Sequence, residues 1–156
     1  MSRFTHLDEM GAARMVDVSA KDVTARSATA TGRVLLSAEC VELLRSTGVP
    51  KGDALAVSRI AGIQAAKRTW ELIPLCHPLS LSGVEVHLEV VDEGVDLTAT
   101  VRTTDRTGVE MEALTAVSVA ALTLIDMIKA VDKLAVIAEI KVAAKSGGRS
   151  GDWTRD

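Results

Sequence analysis

The hydrophobic pattern of the chain predicts an α+β fold, an antiparallel sheet with helices packed on one face. Three features predict it. Val84, Val86, Leu88 and Val90 alternate with Glu85, His87 and Glu89, and across the turn Asp92-Glu93-Gly94 the residues Val95, Leu97, Ala99 and Val101 alternate with Asp96, Thr98, Thr100 and Arg102. This period of two is that of a hairpin with one wet face. An apolar-rich run over residues 113–125 follows, too long for a strand, and residues 136–144 then alternate once more.

Taken in chain order, residues 1–27 mix charges, Ser, Thr and scattered apolar side chains without a sustained period, and are expected to form a partly mobile N-terminal arm. Residues 28–36 are rich in Thr and aliphatics and predict a strand, after which Ser37 caps a short helix running to about Ser46. Gly48, Pro50 and Gly52 make a turn. Asp53 caps a helix that must stop near Ile73, because Pro74 disfavours helical geometry in the residue before it. Val57, Ile60, Ala61, Ile63 and Ala65 mark its apolar side and put Lys67 near the buried edge. After the hairpin, the long helix is expected to end around residues 131–133 and the last strand to cover 136–144. The order β, α, α, β, β, α, β becomes the split βαβ of ferredoxin-like folds once one helix is treated as an addition. Residues 28–145 are thus expected to form a single ferredoxin-like domain, followed by a Gly-rich C-terminal tail over 146–156. That architecture hosts many chemistries and assigns none.

With 156 residues, 47% of them hydrophobic, the chain is large enough for one core. Aromatic residues are only 2%, so the core packs through Ala, Val, Leu and Ile. The net charge of −3 provides no field that would draw the molecule to nucleic acid or anionic lipid, and a base-stacking sheet would need aromatics this chain lacks. Cys40 and Cys76 form neither a C-x-x-C pair nor a disulfide framework, and no apolar signal segment opens the chain, so a cytoplasmic location is expected. The 113–125 run is broken by Thr115, Ser118 and Thr123 and falls short of a membrane span.

Several residues could carry chemistry. His77, in Leu75-Cys76-His77-Pro78-Leu79, follows a helix stop, where an imidazole can donate to a phosphate or move a proton; the plain alternative is a histidine bonded to backbone. Glu110 and Glu112 flank Met111 before the long helix, and neighbouring carboxylates can separate into an acid and a base. Residues two apart on a helix point roughly 200° apart, so both reach one site only if this stretch is extended. Thr107-Gly108-Val109-Glu110 also matches a capping box, which would make Glu110 structural. Asp126 and Lys129 share a helix face, with Lys133 further along it; they form either an acid–base couple or a surface ion pair. Arg26, Lys51, Lys145 and Arg149 lie in irregular or terminal stretches, the last two around Ser146-Gly147-Gly148, where glycine lets backbone N–H groups approach an anion. His87 shares a polar sheet face with Glu85 and Glu89, His6 lies unassigned in the arm, and no compact Cys/His cluster points to a metal.

Together these segments resemble the molybdenum cofactor biosynthesis protein C family along nearly the whole chain: Thr5-His6-Leu7-Asp8, Met15-Val16-Asp17-Val18-Ser19, Lys51-Gly52-Asp53, Ala61-Gly62-Ile63-Gln64-Ala65-Ala66-Lys67-Arg68-Thr69, Leu72-Ile73-Pro74-Leu75-Cys76-His77-Pro78-Leu79, Thr107-Gly108-Val109-Glu110-Met111-Glu112-Ala113-Leu114-Thr115, Asp126-Met127-Ile128-Lys129-Ala130-Val131-Asp132-Lys133 and Lys145-Ser146-Gly147-Gly148. The resemblance implies a cyclised GTP derivative, 3′,8-cyclo-7,8-dihydroguanosine 5′-triphosphate, as substrate. Its purine would be rebuilt as a pyranopterin while a cyclic phosphate closes and pyrophosphate leaves. Proton transfer and phosphoryl displacement suffice for this, so no redox cofactor is required, and Mg²⁺ is left open.

By the same match Asp126 is the acid–base residue, Lys129 tunes it or relays a proton, and Lys51 is catalytic. Leu75, Cys76, His77, Met111 and Glu112 correspond to substrate-contacting segments, with Glu110 a weaker member. Lys67, Arg26 and Lys145 look like the triphosphate clamp. Arg149 stands where the family commonly has Lys, and Asp105 where Gly is expected, which puts the loop conformation there in question. The family assembles as a hexamer, a trimer of dimers with sites built from two subunits, and the same is expected here. The competing readings are a non-catalytic accessory protein that binds the product of the radical S-adenosylmethionine enzyme, and a small-ligand regulatory module.

Overall fold

The computed structural model describes residues 4–46 and 53–156. Its elements are β1 (Thr24–Leu35), α1 (Ala38–Arg45), α2 (Ala54–Ala66), α3 (Thr69–Leu72), β2 (Leu81–Val91), β3 (Gly94–Asp105), α4 (Glu110–Ile128), β4 (Val136–Ser146) and β5 (Trp153–Thr154). The sheet is antiparallel with strand order β2-β3-β1-β4-β5, so β1 lies between β3 and β4 as in a split βαβ unit. The α+β class follows the hydrophobic alternation read from sequence.

Local chemistry sets the element ends. The Ser37 side chain accepts from Cys40 N at 3.2 Å and the Asp53 carboxylate from Ala56 N at 2.9 Å, capping α1 and α2. The helix expected to run unbroken to Ile73 stops at Ala66 and resumes as α3. The backbone leaves the helix at Arg68 (φ −115°, ψ 13°), and the Thr69 hydroxyl donates to the carbonyls of Ala65 and Ala66 at 3.4 and 3.0 Å, satisfying the last turn of α2. The long helix ends at Ile128, earlier than residues 131–133. There Asp132, 7% exposed, accepts from Ser37 N at 2.7 Å and Leu134 N at 2.9 Å and ties the turn to α1.

The first strand begins at Thr24, not residue 28, because Thr24 to Ser27 pair with Asp105 to Arg102 of β3. Their composition gives no apolar alternation, and tertiary pairing decides the matter. Likewise β2 begins at Leu81 ahead of Val84, β4 runs on to Ser146, and the C-terminal tail contributes β5, which pairs with Ala144 and Lys145. In the hairpin Gly94 takes a φ of +151°, and a Cβ there would lie 1.8 Å from the Val34 carbonyl oxygen, so only glycine fits.

The aromatic-poor core packs through small residues. A Cβ on Gly62 of α2 would lie 2.9 Å from Ala116 O and 3.2 Å from Ala120 Cβ, and one on Gly32 of β1 would lie 2.8 Å from Val117 Cγ1. These are the close approaches that pack α4 against its neighbour α2 and against the sheet on which both helices lie. Although α4 is long and apolar enough to cross a membrane, Ala113, Ala116, Val117, Ala120, Leu124 and Ile128 are fully buried against those partners. It is a core helix, running from one end of the sheet to the other.

Candidate functional site

One end of the sheet collects most of the candidate residues: β1 begins there, β3 and β4 end there, and α4 starts there. The register pairs Ser27 with Ser146 and Ala28 with Lys145, which brings Arg26 and Lys145 onto neighbouring strands. Arg26 Nε donates to the Asp105 carbonyl at 3.1 Å. Lys145 Nζ donates to Ser150 Oγ at 2.8 Å and lies 3.5 Å from Glu110 Oε1. Gly147 and Gly148, at φ +84° and +78°, fold the following loop back onto β1; a Cβ on either would strike Ala25 O at 2.2 Å or the Arg26 guanidinium at 2.3 Å. The result is a cleft of about 380 Å³ lined by Lys21, Asp22, Thr24, Arg26, Gly148, Arg149 and Ser150. Three cations face one carboxylate there, a local excess suited to a polyanion despite the acidic chain.

Beside the cleft, α4 opens at Glu110 with Val109 as N-cap and no side-chain cap. The capping box read from Thr107-Gly108-Val109-Glu110 therefore does not form. The Thr107 hydroxyl donates to Gly108 O at 3.1 Å, and Glu110, now the first helical residue, faces Lys145. Glu112 turns inward and is 5% exposed, with Oε2 lacking a hydrogen-bond partner among the described residues. Burial, with the Glu110 charge adding to it, pushes its pKa up to about 7, against a smaller opposing effect of its own backbone N–H. The two carboxyls are thus distinguished by environment: Glu110 is half-buried with a cationic partner, and Glu112 sits at the edge of neutrality. The Cys76 thiol is pushed up, first by burial and then by the Glu112 charge, which puts the Leu75-Cys76-His77 loop in the neighbourhood of the start of α4. Leu75 is partly buried in that loop, and Met111 is 38% exposed.

The same loop is anchored from two sides. Thr103 Oγ1 donates to the Ser80 carbonyl at 2.7 Å, and His77 Nε2 donates to the Val16 carbonyl at 2.7 Å. Next to Val16, the Asp17 carboxylate is held below its ordinary range by the Ser19 hydroxyl and N–H, partly opposed by desolvation, with a smaller pull from His77. Neither Val16, Asp17 nor Lys21 stood out from sequence. The only signal was the Met15–Ser19 segment of the family resemblance, which carries no contact information.

Other candidates lie elsewhere. Lys67 is exposed, contrary to its expected place at a buried edge, because α2 buries the side of Ala54, Ser58, Gly62, Ala65 and Ala66, while Val57 and Ile60, whose side Lys67 shares, face outward. It lines a separate groove of about 390 Å³ with Ile63, Leu79 and Leu81 beside β2, so the expected clamp of three cations is divided. Strand spacing puts β2 roughly 10 Å from β1. Asp126 Oδ1 and Lys129 Nζ pair at 2.6 Å on the last turns of α4, more than half exposed. With about 1.5 Å of rise per residue, they lie roughly 24 Å along the helix from Glu110. Lys51 lies outside the described residues. Asp105 closes β3 opposite Thr24 without strain, since Glu139 is the only non-glycine residue among those described with a left-handed φ. His87 is exposed on the open sheet face, and His6 Nδ1 lies 3.4 Å from Arg14 O. Among the described residues no three His, Cys, Asp or Glu side chains converge.

The fold and this end of the sheet define an α+β protein with a cation-lined cleft set against a buried, near-neutral carboxyl. Comparison with known sequences specifies it further. The MoaC family model matches residues 15–148, and the chain belongs to that family. It is 72% identical over 153 residues to the cyclic pyranopterin monophosphate synthase of Streptomyces coelicolor, covering 98% of this chain and 90% of that protein. The proteins of the same name from Nocardioides sp. and Chloroflexus aggregans are 70% and 57% identical, each covered to 96% by alignments spanning 98% and 100% of this chain.

Proposed function

We propose that this protein converts (8S)-3′,8-cyclo-7,8-dihydroguanosine 5′-triphosphate into cyclic pyranopterin monophosphate and pyrophosphate, a step of molybdenum cofactor biosynthesis. The observation that carries the reading is identity of 70–72% over 98% or more of the chain to proteins bearing the synthase name. Lys21, Arg26 and Arg149 hold the triphosphate in the cleft they line, Lys145 adds its charge from beside Ser150, and Lys67 reaches in from the flank. Leu75, Cys76, His77, Glu110, Met111 and Glu112 surround the purine-derived part. Lys51, Asp126 and Lys129 carry the proton transfers that open and rebuild the ring. The cyclic phosphate closes when a hydroxyl of the sugar attacks the α-phosphorus, losing its proton, and the P–O bond to pyrophosphate breaks. These steps need no redox cofactor, and any Mg²⁺ would act on the phosphates.

One chain cannot bring Asp126 to the cleft along a straight helix. A second copy with its α4 antiparallel to the first would put each Asp126–Lys129 pair at the other's cleft. The outer side of the helix layer supports such a contact, since Leu122 of α4 and Val57 and Ile60 of α2 are 58%, 44% and 64% exposed. The assembly proposed is a homo-oligomer, a hexamer built as a trimer of dimers, located in the cytoplasm.

Given the cyclised nucleotide, purified protein is expected to release one pyrophosphate per nucleotide consumed, and Lys145→Ala to raise KM more than it lowers kcat. Tight binding with the nucleotide returned unchanged would instead favour the accessory-protein reading and reject this one.

A further inference from the structure

We infer that the N-terminal arm fixes which ring atom of His77 meets the substrate, so that neutral His77 engages a hydrogen-bond donor of the substrate and not its phosphates. The observation is the 2.7 Å contact between His77 Nε2 and the Val16 carbonyl. A carbonyl oxygen only accepts, so Nε2 must carry the hydrogen, and a neutral imidazole carries only one. Nδ1 is then a bare lone pair. It repels an ionised phosphate oxygen, and its complement is a hydroxyl, an amino group or a ring N–H, from which it can accept a bond or a proton.

Both sides of the bond are held. On the arm, the Asp17 carboxylate accepts from Ser19 N at 2.9 Å and Lys21 N donates to Val18 O at 3.0 Å, so the Val16 carbonyl leads into a turn ahead of β1. On the loop, Pro74 and Pro78 flank a turn in which Cys76 N donates to Ile73 O at 3.1 Å. The charge distribution agrees with this assignment. The same arm delivers Lys21 to the cleft of Arg26 and Arg149, which supplies cations for phosphate, while His77 lies by Cys76 and Asp17. Val16 and Asp17 are accordingly positioning residues, acting through His77.

The identity of the substrate's donor rests on the function proposed above; the tautomer does not. The test is a long-range ¹H–¹⁵N correlation spectrum of the full chain labelled at its three histidines, assigned with His77→Gln. Above the pH at which the ring titrates, Nε2 is expected to show a pyrrole-type shift and Nδ1 a pyridine-type shift. Tripolyphosphate alone should leave Nδ1 unmoved, and the cyclised nucleotide should move it toward the hydrogen-bonded or protonated range. The opposite tautomer, an even mixture of the two, or a tripolyphosphate-induced shift of Nδ1 would overturn the inference. The first two arms need no turnover, so their outcome is independent of whether pyrophosphate is released.

Discussion

Replacing Asp126 with Asn is expected to lower kcat by roughly 10²- to 10⁴-fold, the usual worth of a positioned acid–base group, while the Kd of the nucleotide changes only a few-fold. Asp126 and Lys129 lie 2.6 Å apart on the exposed end of α4. As a surface ion pair they would contribute only about 0.2–0.5 kcal/mol to folding. The variant should therefore melt within a degree or two of the parent, and Lys129→Ala should behave alike. Pyrophosphate release under saturating nucleotide, set beside calorimetric binding, separates the two effects. Retained turnover with Asn at 126 would assign the pair to the surface and remove proton transfer from this helix end.

The second large effect concerns stability and pH. Glu112 has a folded-state pKa raised from 4.5 to about 7, chiefly by burial. Between those two values the folded chain keeps a proton that the unfolded chain has released, so stability falls as pH rises through that window and levels off above it. Glu112→Gln, neutral at every pH, is expected to stabilise the protein at pH 8 by up to about 3 kcal/mol and to change little near pH 5. Urea unfolding at the two pH values measures this. Turnover in the same variant should fall, because an amide replaces a carboxyl placed against the purine-derived part and presents different hydrogen-bonding groups to it. Equal stability of the two proteins at pH 8 would show that Glu112 is solvated in solution.

The hairpin, α4 and the final strand were legible because one wet face gives β2 and β3 a strict alternation and a buried helix gives a long apolar run. Ser37 and Asp53 were legible as caps because capping is local. What involves distant partners was not. Thr24 to Ser27 look like loop until β3 pairs with them, and no local signal marks the break of α2 at Arg68, whose open carbonyls the Thr69 hydroxyl satisfies. The capping box at Thr107 was a valid local pattern that the fold does not use, since α4 starts at Glu110, which faces Lys145. The chemistry-bearing residues could be named from the family resemblance. Their division between two ends of α4, and the hold of Val16 on His77, appear only once the chain is folded.

The proposed site is completed by the far end of a second copy's α4. Asp126→Asn protein, impaired in kcat, and Lys145→Ala protein, impaired at nucleotide well below its raised KM, should be mixed, dissociated and reassembled, and pyrophosphate release then followed at that low nucleotide concentration. Random pairing in two-fold dimers leaves about a quarter of the sites with both residues intact, so activity should return to about that fraction of the parent. If both residues serve a site within one chain, every site lacks one of them, and the mixture will stay as inactive as its components.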